Sequence, residues 1–187
     1  MIGAVLAGGA GRRLGRGSKA AVQVRGRALV SRPLEALGAV CERVAVVCKP
    51  GTELPELGAV ERWDEPGYPQ HPLIGITHAL ERAGEPVLVC AADMAWVTAD
   101  SCRSLVNAAR AGDGAPAVAV AGGVLQPVFG VYSPVVLDTL RAAESDAALT
   151  ATVEVLDPVR VALPPPLIRR VNTPEDLAAL SREPGGR

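Results

Sequence analysis

The chain has 187 residues, of which 49% are hydrophobic and only 3% are aromatic, and its formal net charge is −1. This length and apolar content predict one domain with a sizeable core built from Val, Leu and Ala. The near-zero charge argues against nucleic acid or an anionic membrane as a partner. The four cysteines form no C-x-x-C pair, so buried free thiols are expected rather than a zinc site or a disulfide framework.

A strand-like run begins at residue 2, with no charged leader before it and no apolar run of membrane-spanning length after it. We therefore expect a cytoplasmic protein. One domain is predicted over residues 1–180, and a polar, frayed tail is predicted at 181–187.

Strand-length apolar runs alternate with segments of helical periodicity. The predicted strands are 2–6, 43–48, 86–91, 117–120, 128–132 and 159–163, and the predicted helices are 30–37, 74–83, 101–111, 134–143 and 174–180. The first three strands are almost continuously hydrophobic, which is typical of parallel strands covered on both faces. The alternation predicts a Rossmann-like, three-layer α/β/α fold with an open, mostly parallel sheet.

A loop rich in glycine and arginine, residues 7–19, follows the first predicted strand. Its five glycines allow backbone N–H groups to approach an anion, and its three arginines and Lys19 can donate charge-assisted hydrogen bonds. Leu14 stands where a dinucleotide fingerprint needs its third glycine. The loop also does not end in the Gly-Lys-Ser/Thr sequence that a P-loop requires. We interpret it as a nucleotide-phosphate loop of another kind. The alternative is a turn that only connects a strand to a helix.

Two further loops, 49–73 and 92–98, are expected to meet the phosphate loop, because ligands of open α/β sheets bind beyond the carboxyl ends of the strands. Asp93 follows the third predicted strand and is placed to hold Mg²⁺, which takes oxygen ligands and substrate phosphates. Alternatively, Asp93 caps the next helix, although Thr98 and Asp100 are better placed for that role. His71 is interpreted as an exposed loop histidine rather than a general base. The last helix should have Thr173 as its N-cap.

Five short motifs occur in an order that resembles the molybdenum cofactor guanylyltransferase (MobA-like) family of nucleotidyltransferases. They are Leu6-Ala7-Gly8-Gly9 with Arg13-Leu14-Gly15 and Ser18-Lys19, then Pro72-Leu73-Ile74-Gly75, Ala92-Asp93-Met94, Gln126-Pro127-Val128-Phe129-Gly130-Val131-Tyr132 and Asn172-Thr173-Pro174-Glu175-Asp176-Leu177. The resemblance spans residues 1 to about 180.

This resemblance implies transfer of GMP from GTP to the terminal phosphate of molybdopterin, giving the guanine dinucleotide cofactor and pyrophosphate. It implies Arg13, Lys19 and Asp93 as catalytic residues, with Mg²⁺ on Asp93. The nucleotide-binding set that it implies is Leu6, Ala7, Gly8, Gly9, Gly11, Arg13, Lys19, Asp64, Pro72, Leu73, Gly75 and Asp93. GTP and molybdopterin are the implied substrates, with transient contacts to cofactor-synthesis proteins or acceptor molybdoenzymes. Without the resemblance, Asp64 would be interpreted as a solvated loop charge.

Several positions depart from the family pattern, among them Cys48-Lys49-Pro50, which stands where the family has a loop that carries an asparagine. Ser18 stands in place of an aspartate, Ala95 in place of a proline, and Arg170 in place of an asparagine. Two alternatives therefore stay open. One is a related nucleotidyltransferase that uses CTP or another phosphorylated acceptor, such as a sugar phosphate or phospholactate. The other is a nucleotide-binding protein that has lost catalysis.

Overall fold

The structure, a computed structural model, describes residues 1–9, 18–143 and 147–182. Gly11, Arg13 and most of the predicted phosphate loop lie outside these residues. So does the predicted tail from residue 183 onward.

The described residues form nine strands and six α-helices. The strands are β1 (Ile2–Leu6), β2 (Gln23–Val24), β3 (Arg27–Ala28), β4 (Arg43–Cys48), β5 (Glu61–Asp64), β6 (Val87–Ala91), β7 (Ala117–Ala121), β8 (Val124–Tyr132) and β9 (Val159–Ala162). The helices are α1 (Ser31–Gly38), α2 (Pro72–Ala83), α3 (Ala99–Ala111), α4 (Leu137–Ala142), α5 (Leu149–Glu154) and α6 (Pro174–Arg182). None of the helices in these ranges combines the length and the apolar character needed to cross a membrane.

All six predicted strands and all five predicted helices are present; the bounds of β1 and β4 are as predicted, and the other elements have shifted ends. The β2–β3 hairpin, β5 and α5 were not predicted, and β8 begins four residues before the predicted start at 128. Helix α6 ends at Arg182, so residues 181 and 182 at the start of the predicted tail are helical.

Seven strands form one sheet in the order β5-β4-β1-β6-β8-β7-β9. β8 runs antiparallel to β6 and β7, and the other neighbouring pairs are parallel. Leu37 of α1 and Leu105 of α3 pack with Val5 on one face of the sheet. Ile76 of α2 and Leu140 of α4 pack on the other face. The predicted three-layer, mostly parallel α/β fold is confirmed.

The four cysteines are buried and free, as expected. Burial raises the pKa of both the Cys41 and the Cys48 thiol to about 11. Since the thiolate is the reactive form, these side chains act as small apolar residues of the core.

The strand order places a topological switch point beside β1. The chain leaves β1 for β4 and β5 on one side, then returns to β6 on the other side. The loops after β1 and β6 therefore diverge at the carboxyl edge of the sheet, where open α/β folds bind ligands.

Candidate active site

A cleft of about 250 Å³ opens at the carboxyl ends of β1 and β6. The described residues that line it are Leu6, Ala7, Gly8, Gly9, Lys19, Ala20, Lys49, Glu65, Gln70, His71, Pro72, Gly75, Ala91, Ala92, Asp93, Val128 and Arg170. The three loops that were expected to meet, 7–19, 49–73 and 92–98, all contribute to this lining. The cleft therefore lies at the switch point.

Lys19 and Asp93 form an ion pair in the cleft. The Lys19 Nζ donates to Asp93 Oδ2 at 2.7 Å and to Asn172 Oδ1 at 2.7 Å. The side chains of Lys19 and Asp93 are only 16% and 15% exposed, so solvent screens their attraction less than at an open surface. Three segments distant in the sequence thus converge on one ammonium group.

Asp93 has the features of a cation ligand. Its Oδ1 is buried and accepts no hydrogen bond from the residues that the structure describes. Thr98, not Asp93, caps α3, because its Oγ1 accepts from Ser101 N at 3.2 Å. The described residues contain no group of three or more His, Cys, Asp or Glu side chains arranged to hold a metal ion. A cation here would complete its coordination with water and substrate phosphates, which is how Mg²⁺ is commonly held.

Asn172 is a cleft-side residue that sequence reasoning did not assign to the site, although it lies in the last quoted motif. Its backbone N–H, and that of Thr173, donate to Asp176 Oδ2 at 2.8 and 2.9 Å. Thr173 Oγ1 accepts from Asp176 N at 3.2 Å, which confirms Thr173 as the N-cap of α6. The backbone bonds from Asn172 and Thr173 lower the pKa of Asp176. These contacts fix the backbone from which the Asn172 amide reaches Lys19.

Lys49 and Glu65 form a second ion pair in the cleft, and neither residue was in the predicted set. The Lys49 Nζ donates to Pro66 O at 2.6 Å and to Pro69 O at 3.1 Å, and it lies 3.4 Å from Glu65 Oε1. Burial raises the pKa of Glu65, and Lys49 partly opposes this shift. Lys49 is one of only two lysines in the chain, and that rarity was a signal available in the sequence.

Gly8 and Gly75 leave room for the Glu65 carboxylate. A Cβ on Gly8 would lie 2.4 Å from Glu65 Oε1, and one on Gly75 would lie 3.0 Å from Glu65 Oε2. The Gly75 position is also 3.1 Å from the Leu6 side chain. A side chain at either of these motif positions would therefore force the buried Glu65 carboxylate to shift inside the cleft wall.

The start of α2 forms the rim of the cleft. His71 is the N-cap of this helix, and its Nδ1 accepts from Leu73 N at 3.3 Å. Pro72 occupies the first turn and lines the cleft. His71 is half-buried and acts as a cap, which corrects its interpretation as an exposed loop residue.

Asp64 does not line the cleft. It is exposed at the end of β5 and accepts from Arg62 Nε at 2.9 Å. This placement matches the interpretation of Asp64 as a solvated charge, and its neighbour Glu65 is the carboxylate that faces the cleft.

The structure places only part of the predicted nucleotide-binding set in the cleft. Eight of its members line the cleft, namely Leu6, Ala7, Gly8, Gly9, Lys19, Pro72, Gly75 and Asp93. Asp64 and Leu73 do not, since Leu73 is buried in the core between α2 and the sheet. Gly11 and Arg13 lie outside the described residues. The individual roles of all these residues stay predictions.

Comparison with known proteins shows which family this chain resembles. Residues 3–161 match the family model of the MobA-like NTP transferase domain. The molybdenum cofactor guanylyltransferase of Cereibacter sphaeroides strain ATCC 17029 is 34% identical over 186 residues, covering 95% of this chain and 94% of that protein. A probable molybdenum cofactor guanylyltransferase of Mycobacterium tuberculosis is 36% identical over 58% of this chain and 56% of its own length.

Solved structures share the fold at lower identity. Molybdopterin-guanine dinucleotide biosynthesis protein A of Archaeoglobus fulgidus superposes with a TM-score of 0.77 at 23% identity, covering 97% of both chains. A 2-C-methyl-D-erythritol 4-phosphate cytidylyltransferase of Thermus thermophilus gives 0.71 at 19% identity, covering 97% of this chain and 99% of that one. Since the family model covers most of the chain and the C. sphaeroides relative matches it almost end to end, the chain belongs to the MobA-like NTP transferases, a family of nucleotidyltransferases.

Proposed function

We propose that this protein transfers GMP from GTP to the terminal phosphate of molybdopterin, forming the guanine dinucleotide cofactor and pyrophosphate. The nearly full-length similarity to the C. sphaeroides guanylyltransferase carries the proposal. The Lys19–Asp93 pair at the switch point supports it, because it puts a cation and an oxygen ligand where a triphosphate would bind. The same relatives favour this activity over the CTP-dependent and non-catalytic alternatives.

The nucleotide would be bound by backbone and side-chain donors of the β1 end. Gly8 and Gly9 line the cleft without a Cβ, so N–H groups in this segment are accessible to phosphate oxygens. Lys19 would pair with the β- and γ-phosphates, which become the leaving pyrophosphate. Arg13 remains a predicted further phosphate ligand.

Asp93 would hold the Mg²⁺ ion through its buried, unpartnered Oδ1. When bound, Mg²⁺ supplies Lewis-acid polarisation of the phosphate and neutralises its charge. The contribution of the protein is the fixed position of Asp93, whose backbone carbonyl accepts from Val171 N at 2.9 Å.

The transfer itself needs positioning and charge neutralisation more than a base. The acceptor phosphate is anionic at neutral pH, so one of its oxygens can attack the α-phosphorus in line. An oxygen–phosphorus bond to the acceptor forms, the bond between the α-phosphorus and its bridging oxygen breaks, and pyrophosphate leaves with the electron pair. Lys19 would stabilise the charge that grows on the leaving group.

Incubation of the purified protein with GTP, Mg²⁺ and molybdopterin tests the proposal. We expect the dinucleotide and pyrophosphate, with GTP preferred to CTP. The Lys19→Ala variant should lose about 10²–10³-fold in kcat, as for loss of a donor to developing charge. Absence of product, equal use of CTP, or full activity of Lys19→Ala would contradict it.

Arg103→Ala is the matched control for that experiment. Arg103 is an exposed cation on α3 that pairs with Asp100 and does not line the cleft. Its loss should leave the transfer rate unchanged.

A cytoplasmic location and transient contact with proteins that deliver molybdopterin or receive the product belong to the same proposal, since GTP and the cofactor precursor are consumed inside the cell.

A further inference from the structure

We propose that Lys19 is a stand-in cation at Asp93, so that in the free protein its ammonium group competes with the metal and the metal binds tightly only together with a nucleotide. The inference rests on the metal-binding role proposed for Asp93. It concerns the order in which the ligands bind.

The ammonium group of Lys19 already occupies Asp93. Its Nζ lies 2.7 Å from Asp93 Oδ2 and 2.7 Å from Asn172 Oδ1, so two of the three ammonium protons are engaged. Both members of the ion pair are mostly buried. A divalent cation that approaches Asp93 would therefore meet a carboxylate whose charge is already neutralised by a poorly screened ammonium group.

The second carboxylate oxygen of Asp93, Oδ1, is the candidate ligand for the metal ion. Oδ1 is buried and has no hydrogen-bond partner among the described residues, a costly state for a carboxylate oxygen. One carboxylate oxygen of Asp93 thus accepts from Lys19, and the other is left without a hydrogen-bond partner among the described residues. A cation at Oδ1 would be a partner for it, but Lys19 opposes it as long as its ammonium stays on Oδ2.

The surroundings of Lys19 explain why Asp93 is its partner. The preceding residue is Ser18, which offers no carboxylate, and Asp93 is the carboxylate that pairs with Lys19 within residues 1–9, 18–143 and 147–182. Asn172 is a neutral second acceptor on a backbone fixed by Asp176. It can keep the ammonium in the cleft when Asp93 is given up.

A triphosphate would reverse the competition. Its oxygens can draw the Lys19 ammonium away from Asp93 Oδ2, and they also supply ligands that a lone protein carboxylate cannot. Nucleotide and metal would then increase each other's affinity, since such coupling is reciprocal.

Binding of Mn²⁺, a spectroscopic substitute for Mg²⁺ at oxygen sites, tests the inference without nucleotide or acceptor. Free Mn²⁺ is measured by electron paramagnetic resonance during titration of the folded protein. We expect Lys19→Met and Lys19→Gln each to bind Mn²⁺ about tenfold tighter than the unmodified protein. Adding Asp93→Asn to either variant should abolish the gain.

Arg170→Met is the matched control. It removes one positive charge from the same cleft wall but leaves both hydrogen bonds of Lys19 in place, and we expect less than about a twofold change. An unchanged affinity in both Lys19 variants, or an equal gain in Arg170→Met, would overturn the inference. The Gln variant keeps a neutral donor at position 19 if the Met variant does not fold.

The outcome is independent of the transfer reaction. Tighter Mn²⁺ binding in the Lys19 variants supports the inference even if no guanine dinucleotide is formed. Unchanged binding refutes it even if guanylyl transfer is observed.

Discussion

The buried surroundings of Glu65 disfavour the ionised form of its carboxyl group. Its side chain is 5% exposed and lies against Gly8 and Gly75, with Lys49 as the counter-charge 3.4 Å away. Burial raises the pKa of Glu65 despite that lysine. The carboxylate therefore binds its proton more tightly in the folded chain than in the unfolded one.

The pH dependence of stability follows from this raised pKa. The stability that Glu65 contributes is fully present below its unfolded pKa of 4.5 and is lost as pH rises through the higher folded value. Glu65→Gln should remove this loss, so its unfolding free energy should fall less between pH 4 and pH 8 than that of the unmodified protein. Urea unfolding at a series of pH values measures the difference.

Glu56→Gln provides the comparison for that measurement, because Glu56 is an exposed carboxylate in the connection between β4 and β5. If Glu65→Gln and the unmodified protein show the same pH dependence, the carboxylate does not titrate as described.

Neighbouring carboxylates at 64 and 65 illustrate the limit of sequence reasoning about single side chains. At the end of β5, Trp63 is buried in the core and Asp64 is exposed, and Glu65, which directly follows the strand, is buried in the cleft wall. The assignment depends on the strand alternation, since a shift of one residue exchanges the two faces. Because β5 was not predicted, the sequence could not decide which carboxylate faces the cleft.

The N-terminus of α6 connects a local capping motif to the site. Asp176 closes the first turn by accepting from the backbone of Asn172 and Thr173, and Asn172 in turn accepts from Lys19. Loss of the Asp176 carboxylate should therefore act twice, on helix stability and on the position of the Lys19 ammonium.

Asp176→Ala is expected to lower the unfolding free energy by about 1 kcal/mol, as for other capping residues. The lowered pKa of Asp176 means that its contribution is present above pH 3.8 and is lost as pH falls through the folded value. The difference between the variant and the unmodified protein should thus shrink progressively as the pH falls below 3.8, which chemical unfolding at pH 7 and at a series of acidic pH values would show.

Glu175→Ala is the control for the capping prediction, since Glu175 is exposed in the same helical turn and shares the favourable dipole position. An equal effect of both substitutions would mean that helix-dipole charge, rather than the Asp176 hydrogen bonds, stabilises α6.

The elements differ in how well the sequence predicts them, for physical reasons. β1, β4 and β6 lie in the interior of the sheet, so their runs are continuously apolar and easily recognised. β5 is an edge strand of four residues with the sequence Glu-Arg-Trp-Asp, which carries little hydrophobic signal. The start of β8 was missed because the Gly122–Gly123 turn, with φ of +55° and +79°, forms a tight hairpin that extends the strand pair beyond its apolar part.

The cleft joins segments from most of the length of the chain, so a ligand there should stabilise the whole fold. β1, the β5–α2 connection, the β6 loop and the α6 entry all contribute residues to it. With GTP and Mg²⁺ at 100 times the dissociation constant, linkage predicts about 2.7 kcal/mol of added stability. Thermal unfolding should show a clear rise in Tm with GTP and a smaller one with CTP.

Thermal unfolding of the Lys19→Ala variant serves as the internal reference. Loss of the phosphate ligand should reduce the rise in Tm that a given GTP concentration causes. A Tm that does not respond to GTP in the unmodified protein would argue against nucleotide binding in this cleft.

The sequence by itself determined the α/β class, the apolar interior strands and the placement of Lys19 and Asp93 in one cleft, because these depend on local composition and on short motifs. Only the tertiary structure decided which polar groups meet. The pairing of Lys49 with Glu65, the contact of Asn172 with Lys19, and the exclusion of Asp64 from the cleft depend on strand order and side-chain direction. These contacts bridge as many as 153 residues of sequence, and no local pattern encodes which distant side chain will occupy the facing position.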